Sequence, residues 1–326
     1  MTTYKEIKGQ LVRKVSEDPT DAQLGQIWYN TSIGTLKGYV TVDAAWASGG
    51  NLGAARDGLS AAGFSTQTAG LTFGGDDGNP ALSAKTEEYN GLTWAEQNDM
   101  SVARNILGGA GTQTAGLAFG GDDPTEEKTE EYGGTSWTSG GNLGTGRYFL
   151  TGAGTQTAGL AIGGSPPAPA GLTNVEHYDG SSWTAGGALP ASRRSSAACG
   201  TQTAGLNFGG KGGGAPAAAA TTEEYNGSSW TSGGTMNTGR RTLAGAGIQT
   251  AALGMAGYPP NRTDCEKYDG TSWSTTASMA TARRYTAGCG TQAAGLGFGG
   301  YAPGGKTNAT EEFTDTANVS KVITTS

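Results

Sequence analysis

A tryptophan recurs six times along the chain at intervals of 43 to 48 residues, and an arginine follows each tryptophan by ten residues. The pairs are Trp46 and Arg56, Trp94 and Arg104, Trp137 and Arg147, Trp183 and Arg193, Trp230 and Arg240, and Trp273 and Arg283. A period of about 40–50 residues is typical of structural units that bury a core only when they stack together. The chain is therefore predicted to be a repeat protein over most of its 326 residues.

Each repeat contains the signals of four short strands. A segment rich in Gly and Ala follows the arginine, a turn around Thr-Gln comes next, and a second apolar segment ends in a Gly-Gly pair. An acidic and aromatic segment such as Glu130-Glu131-Tyr132 forms the third strand, and in most repeats an Asn-Gly or Asp-Gly dipeptide leads into the tryptophan strand. These dipeptides favour tight hairpins because they tolerate positive φ. Each unit is predicted to be a four-stranded antiparallel sheet.

Six such sheets predict an all-β fold, a six-bladed β-propeller with four antiparallel strands per blade. Many of the 59 glycines lie in the first strand of each unit, where the strands of a propeller converge on its axis and leave little room for side chains. The order Gly-Gly, acidic-aromatic pair, tryptophan, arginine resembles the kelch repeat over about residues 39–316. The resemblance implies a kelch-type propeller but leaves the function open, because such propellers serve as binding modules, scaffolds and a few oxidases.

The sixth unit has no tryptophan strand after Phe313. The strand near Trp46 is therefore predicted to pair with residues 311–313 and to complete the last blade, which closes the ring and removes two exposed sheet edges. Residues 38–42 and 319–323 also have strand character. Each of these segments is an alternative extra strand of the closing blade.

One face of the propeller is predicted to be variable. The distance from the Gly-Gly pair to the next aromatic residue ranges from 11 to 15 residues, whereas the distance from tryptophan to arginine is constant. These connections and those between blades emerge on one face, and loops on a rigid framework are the usual place for recognition. The alternative is that the loops vary because nothing constrains them. The candidate binding residues are Asp76, Asp77, Asp122, Asp123, Pro166, Pro167, Lys211, Tyr258, Arg262 and Tyr301.

Residues suited to catalysis or metal binding are sparse. His177 is the single histidine, which argues against a His-based metal site or a Ser-His-Asp triad, and we interpret it as a solvated strand residue. Cys199 and Cys289 stand where other units have alanine, so we interpret them as small buried residues, and we expect no disulfide with Cys265. The Asp pairs after Gly-Gly occur in two units and are interpreted as solvated loops, with a calcium site as the alternative. We predict no catalytic residue, cofactor or metal, and no enzymatic activity.

Pairs of glutamates recur in register with the repeat, which favours a structural role over a catalytic one. Their expected partners are the recurrent arginines. The pairs are Glu87-Glu88, Glu130-Glu131, Glu223-Glu224 and Glu311-Glu312.

Residues 1–38 do not follow the repeat. Two short segments at 25–30 and 34–38 predict a β-hairpin that carries Ile27, Trp28, Tyr29 and Leu36 on its strands. This pattern resembles hairpin segments in tail and fibre proteins of tailed bacteriophages, notably marine ones. The resemblance implies an attachment segment, residues 1–38, ahead of a propeller domain, residues 39–326. The alternative is that the hairpin caps the propeller.

Charge and hydropathy narrow the choice of partners. A net charge of −7 with scattered basic residues argues against nucleic acid. No apolar run approaches the roughly 20 residues of a membrane-spanning helix, and the first residues lack the apolar core of a secretory signal.

These features and the phage resemblance predict a tail-fibre-type virion protein, assembled in the host cytoplasm and present in multiple copies. Its N-terminal segment would contact tail, baseplate or capsid proteins. Its variable face would meet a host-surface glycan, an outer-membrane component or another virion protein. The alternatives are a polysaccharide-degrading virion enzyme and a cellular kelch scaffold protein.

Overall fold

The structure, a computed structural model, describes residues 12–78, 82–122, 126–166, 171–212 and 218–323. The described residues form strands, turns and bends, with no helix among them. They contain seven four-stranded sheets and two two-stranded ribbons. The predicted all-β class is confirmed, and the arrangement is consistent with a β-propeller.

The strands are numbered in chain order. The first four are β1 (Arg13–Val15), β2 (Ile27–Asn30), β3 (Thr35–Val42) and β4 (Ala45–Ser48). Sheet 1 contains β5 (Ser60–Ala61), β6 (Leu71–Phe73), β7 (Thr86–Tyr89) and β8 (Trp94–Gln97). Sheet 2 contains β9 (Gly108–Thr112), β10 (Ala115–Phe119), β11 (Thr129–Tyr132) and β12 (Trp137–Ser139). Sheet 3 contains β13 (Thr151–Thr155), β14 (Ala158–Ile162), β15 (Val175–Tyr178) and β16 (Trp183–Ala185).

The second half of the chain continues in the same way. A ribbon of β17 (Arg193–Arg194) and β20 (Lys211–Gly212) accompanies sheet 4, which contains β18 (Ala197–Gly200), β19 (Gly205–Phe208), β21 (Thr222–Tyr225) and β22 (Trp230–Ser232). Sheet 5 contains β23 (Ala244–Ile248), β24 (Ala251–Met255), β25 (Cys265–Tyr268) and β26 (Trp273–Thr276). Sheet 6 contains β27 (Ala287–Gly290), β28 (Ala294–Phe298), β31 (Thr310–Thr314) and β4, with a ribbon of β29 (Tyr301–Ala302) and β30 (Gly305–Lys306). The last strand is β32 (Ala317–Val322).

Sheet 6 joins chain segments that are far apart in sequence. Its strand order, β27-β28-β31-β4, places the Trp46 strand beside the strand of Phe313, as predicted. The two rings pack with centroids 5.2 Å apart, and the Trp46 indole donates a hydrogen bond of 2.9 Å to the carbonyl of Ala277 in the loop that follows β26. The fourth strand of this sheet therefore comes from the N-terminal side of the repeats.

The first strands of neighbouring sheets approach too closely for side chains between them. At Gly109 in β9, an added Cβ would lie 2.4 Å from the carbonyl oxygen of Ala61 in β5. At Gly152 in β13, it would lie 2.4 Å from the carbonyl oxygen of Gly109. The small residues predicted for these strands are therefore required by backbone contact between sheets.

Six backbone hydrogen bonds link the chain segments just before these first strands. In each, the amide of one sheet donates to the carbonyl of the preceding sheet over 2.6 to 3.1 Å, and sheet 1 donates to sheet 6, so the series returns to its start. All the residues involved have positive φ, between 45° and 63°. Residues other than glycine rarely adopt this backbone conformation, so the cycle holds several strained residues in place. Its members are Gly58, Ile106, Phe149, Ser195, Thr242 and Tyr285.

Each recurrent arginine is buried and paired with a glutamate in the third strand of its own sheet. Arg104, for example, donates to Glu130 over 2.9 Å and to the carbonyls of Gly120 and Lys128. Burial lowers the pKa of Arg104, and the charge of Glu130 opposes that shift. The predicted structural role of the first glutamates is confirmed. The pairs are Arg56–Glu87, Arg104–Glu130, Arg147–Glu176, Arg193–Glu223, Arg240–Glu266 and Arg283–Glu311.

The second glutamate of each pair acts between sheets, where it accepts a hydrogen bond from a tyrosine of the next sheet. These bonds are Tyr89 to Glu312, Tyr132 to Glu88, Tyr178 to Glu131 and Tyr268 to Glu224. Sheet 3 has His177 at this position, and its Nε2 lies 2.8 Å from the hydroxyl of Tyr225. The prediction that His177 is a solvated strand residue is wrong, because the side chain is partly buried and bonded between two sheets.

The tryptophans also bridge neighbouring sheets. Four indoles donate to a threonine hydroxyl at the start of the preceding sheet's third strand, as Trp137 does to Thr86 over 2.8 Å. Trp230 donates instead to the carbonyl of Gly187, because that threonine position is occupied by Val175. A tryptophan indole therefore donates a hydrogen bond across every boundary between the six sheets, and the acceptor differs from one boundary to another.

A separate unit contains the N-terminal sheet, ordered β1-β2-β3-β32. The hairpin of β2 and β3 is confirmed, with Tyr29 opposite Leu36. The compact units divide after Ala45, and the residues from Asp315 onward belong to the first unit. The two segments considered as extra strands of sheet 6 pair with each other instead, with Val40 opposite Val319.

Candidate binding face

Two series of residues pair with each other at the same end of the strands in all six sheets. The first follows each recurrent arginine directly, and the second follows each Gly-Gly pair or its Ala-Gly equivalent. Backbone hydrogen bonds or bridges join them in every sheet. We call these residues the rim: Asp57 with Asp76, Asn105 with Asp122, Tyr148 with Ser165, Arg194 with Lys211, Arg241 with Tyr258, and Arg284 with Tyr301.

The repetitive turns lie together at the opposite ends of the strands. A Cβ added to Gly91 in the Asn-Gly turn would lie 3.2 Å from Thr68 in the Thr-Gln turn of the same sheet. The adjacent glutamines donate to the preceding sheet, as Gln113 does to the carbonyls of Gly70 and Tyr89 over 3.1 and 2.7 Å. These turns therefore hold the sheets together, and the variable residues are on the other face.

Charge is segregated around the rim. Sheets 1 and 2 contribute the acidic side chains Asp57, Asp76 and Asp122, whereas sheets 4 to 6 contribute Arg194, Lys211, Arg241 and Arg284. Where the two halves meet, Nζ of Lys306 lies 2.5 Å from Oδ1 of Asp76 and 3.7 Å from Oδ1 of Asp57. Burial raises the pKa of Asp57, and Lys306 opposes that shift. The carboxylates of sheet 1 are thus engaged in an ion-pair network.

The basic half contains an arginine–tyrosine cluster, formed by Arg241, Arg284, Tyr258, Tyr285 and Tyr301. The guanidinium carbon of Arg284 lies 4.7 Å from the ring centroid of Tyr301, 4.9 Å from that of Tyr258 and 5.9 Å from that of Tyr285. The guanidinium carbon of Arg241 lies 5.1 Å from the ring centroid of Tyr258. These distances are those of cation–π interactions, which fix the orientation of both arginines.

A pocket of about 210 Å³ opens between these side chains, lined by Arg241, Thr242, Tyr258, Arg284 and Tyr285. A second cavity, of about 130 Å³, lies inside the hydrogen-bonded cycle and has no charged side chain among its described lining residues. Because recognition needs polar groups that converge on a ligand, the pocket of the cluster is the stronger candidate site.

The structure brings together some of the predicted binding residues and separates others. Tyr258 and Tyr301 belong to the cluster, and Lys211 lies on the basic half of the rim. Arg262 instead pairs with Asp264 over 2.5 Å, so its charge is matched locally. Asp76 and Asp122 lie on the acidic half, and Asp77 and Pro166 are the partly buried residues that follow rim positions. Asp123 and Pro167 lie outside the described residues.

Sequence reasoning missed Arg241, Arg284 and Tyr285. Arg241 and Arg284 directly follow a recurrent arginine, so each was hidden in an Arg-Arg pair whose first member is structural. A signal was present, because the position after the recurrent arginine varies among Asp, Asn, Tyr and Arg while the arginine itself is constant.

No group of three or more His, Cys, Asp or Glu residues in the described part of the chain is placed to hold a metal ion. The three cysteines are free and buried, and burial raises the pKa of Cys199, Cys265 and Cys289 to about 12, which disfavours the reactive thiolate.

In the N-terminal unit, Trp28 is fully buried, so we assign it to the packing of that unit and not to a contact surface. Its indole donates to Asp18, which also accepts from Asn30 and Lys37. Ile27 and Leu36 are partly buried, and Tyr29 is exposed. Leu24 and Ile33, 62% and 56% exposed, are the larger apolar surfaces of this unit.

Comparison with known proteins adds no family assignment. No protein-family model matches the chain, and no curated protein is significantly similar to it in sequence. Among the described residues, no helix has the length and apolar character needed to cross a membrane.

Proposed function

We propose that the chain is a six-bladed, kelch-type β-propeller that acts as a non-catalytic binding module. The six repeated sheets, the hydrogen-bonded cycle and the position of the Trp46 strand support a closed ring of six blades. The function rests on one observation, the segregated charge of a variable rim mounted on a framework whose other contacts repeat from sheet to sheet.

The test is an exchange of rim residues on an unchanged framework. Residues 258–263 of sheet 5 would be replaced by residues 122–127 of sheet 2, and binding would be measured on a glycan array and on bacterial outer-membrane extracts. As a matched control, the Asp269-Gly270 turn on the opposite face would be changed to Asn-Gly. Altered binding in the first variant only is expected. Equal binding by both variants and the wild type would contradict the proposal.

We further propose that the N-terminal unit attaches this module to a virion, in contact with tail, baseplate or capsid proteins. The support is the resemblance of residues 25–38 to phage tail and fibre hairpins, together with exposed apolar side chains at Leu24 and Ile33. Mass spectrometry of purified particles of the phage that encodes the chain tests this attachment. Detection at several copies per particle is expected, and its presence only in the soluble fraction would contradict attachment.

A further inference from the structure

We infer that the arginine–tyrosine cluster binds the negatively charged group of an acidic saccharide. This inference rests on the proposed binding function and specifies the ligand class and the residues that bind it. The pocket between Arg241, Tyr258, Arg284 and Tyr285 is the site of contact.

The cluster has hydrogen-bond donors that have no acceptor among the described residues. Within the described residues, neither Arg241 nor Arg284 forms a salt bridge with a carboxylate, and the guanidinium of Arg241 donates no hydrogen bond. Arg284 makes one long contact, 3.4 Å, with Oδ1 of Asn261, and its Nε is buried without a partner among the described residues. Charged donors of this kind bind anionic oxygens strongly because the bonds are charge-assisted.

The donors are held in position before a ligand arrives. Arg284 is enclosed by three tyrosine rings, and Arg241 contacts one of them. Ordering a free arginine side chain on binding has an entropic cost, and stacking reduces that cost. Each buried arginine one residue earlier, Arg240 and Arg283, is fixed by its glutamate, which anchors the backbone of the cluster.

The remaining features favour a saccharide over other anions. The hydroxyls of Tyr258, Tyr285 and Tyr301 have no partner among the described residues and can exchange hydrogen bonds with sugar hydroxyls. The acidic side chains on the other half of the rim would repel an extended polyanion such as a nucleic acid strand. A pocket of about 210 Å³ suits one charged sugar unit.

The experiment measures binding of four probes by isothermal titration calorimetry at low and physiological salt. The probes are oligogalacturonate, sulfated dextran, neutral dextran and single-stranded DNA. The variants are Arg241→Gln and Arg284→Gln, which keep a polar side chain while removing the charge, and Tyr258→Phe, which keeps the ring. Arg13→Gln is the matched control, because Arg13 is an exposed arginine of the N-terminal unit and does not belong to the rim.

We expect an acidic saccharide to bind the wild type and to lose at least tenfold in affinity in each cluster arginine variant. The Arg13→Gln change should alter affinity less than threefold, and added salt should weaken binding. Equal affinity for neutral dextran, equal affinity for DNA, or unchanged affinity in both arginine variants would overturn the inference. So would a lack of binding to both acidic probes. In each case the rim exchange described above reports separately whether the binding function itself stands.

Discussion

The hydroxyl of Tyr225 lies 2.8 Å from Nε2 of His177, across the boundary between sheets 3 and 4. At four other sheet boundaries, the equivalent hydrogen bond joins a tyrosine to a glutamate. The sixth boundary departs from this rule on both sides at once. There the glutamate is replaced by Lys267 and the tyrosine by Phe313, which has no hydroxyl to donate. The two positions therefore change together within one chain, which indicates that each boundary is matched as a pair.

Restoring the common pair at the sixth boundary should reveal this coupling. The single change Phe313→Tyr is expected to lower the free energy of unfolding by about 1–3 kcal/mol, because the buried hydroxyl would have no carboxylate acceptor. In the double variant Lys267→Glu/Phe313→Tyr, about 0.5–1.5 kcal/mol of that loss should be recovered beyond the sum of the single effects. Urea unfolding of the wild type and the three variants measures the coupling. Additive effects would show that the two positions vary independently.

The His177 boundary should be sensitive to pH. Burial lowers the pKa of His177, so the folded protein binds this proton less readily than the unfolded chain. The stability that results is present above the unfolded pKa of about 6.5 and is lost as pH falls toward the lower folded pKa. The wild type should therefore lose more thermal stability between pH 7 and pH 5 than His177→Gln, in which the carboxylates still titrate. A single histidine makes the assignment direct by NMR titration, and a raised folded pKa would contradict the prediction.

Substitution of a buried recurrent arginine should lower the free energy of unfolding far more than substitution of its neighbour on the rim. Arg193 pairs with Glu223 inside sheet 4, whereas Arg194 is partly exposed and forms no salt bridge with a described carboxylate. Arg193→Ala leaves Glu223 buried and uncompensated, so a loss of about 3–5 kcal/mol in the free energy of unfolding is expected. Arg194→Ala should change it by less than about 0.5 kcal/mol. Chemical denaturation of the two variants provides the comparison, and equal effects would remove the structural role of the recurrent arginine.

Much of the framework could be predicted because its determinants repeat. Six copies make the arginine, the glutamate and the tryptophan recognisable, and the missing tryptophan after Phe313 identifies the Trp46 strand as the fourth strand of sheet 6. The role of the Thr-Gln turn was not predicted, because a glutamine in a turn has the same pattern whether it faces solvent or, like Gln113, donates to a neighbouring sheet.

The N-terminal sheet and the arginine–tyrosine cluster lay beyond sequence reasoning for different reasons. The pairing of Val40 with Val319 joins the two ends of the chain outside any repeat, so no internal copy indicates it. The cluster consists of residues that differ from one unit to the next, and a search for recurring positions overlooks them. Its formation depends on the packing of sheet 6 beside sheet 5, which brings Tyr258 against Arg284.

The hydrogen-bonded cycle predicts that glycine substitutions at two adjacent serines change the free energy of unfolding in opposite directions. Ser195 has a φ of 54° and donates its amide to the carbonyl of Phe149, whereas Ser196 has no positive φ. The left-handed conformation costs a residue with a Cβ about 1–2 kcal/mol, and glycine avoids that cost. Gly58 already occupies the equivalent place in sheet 1, so the backbone of the cycle accepts glycine. Ser195→Gly should therefore raise the free energy of unfolding by about 0.5–1 kcal/mol, after the added entropy of the unfolded chain is subtracted.

Ser196→Gly is the matched control for this change, since it adds the same unfolded-state entropy and relieves no strain. It should lower the free energy of unfolding by about 0.5–1 kcal/mol. Thermal and urea unfolding of the two variants measure the difference. If both glycines destabilise the protein equally, the positive φ of Ser195 carries no strain, and the cycle would have to be stabilised by its hydrogen bonds without any opposing backbone cost.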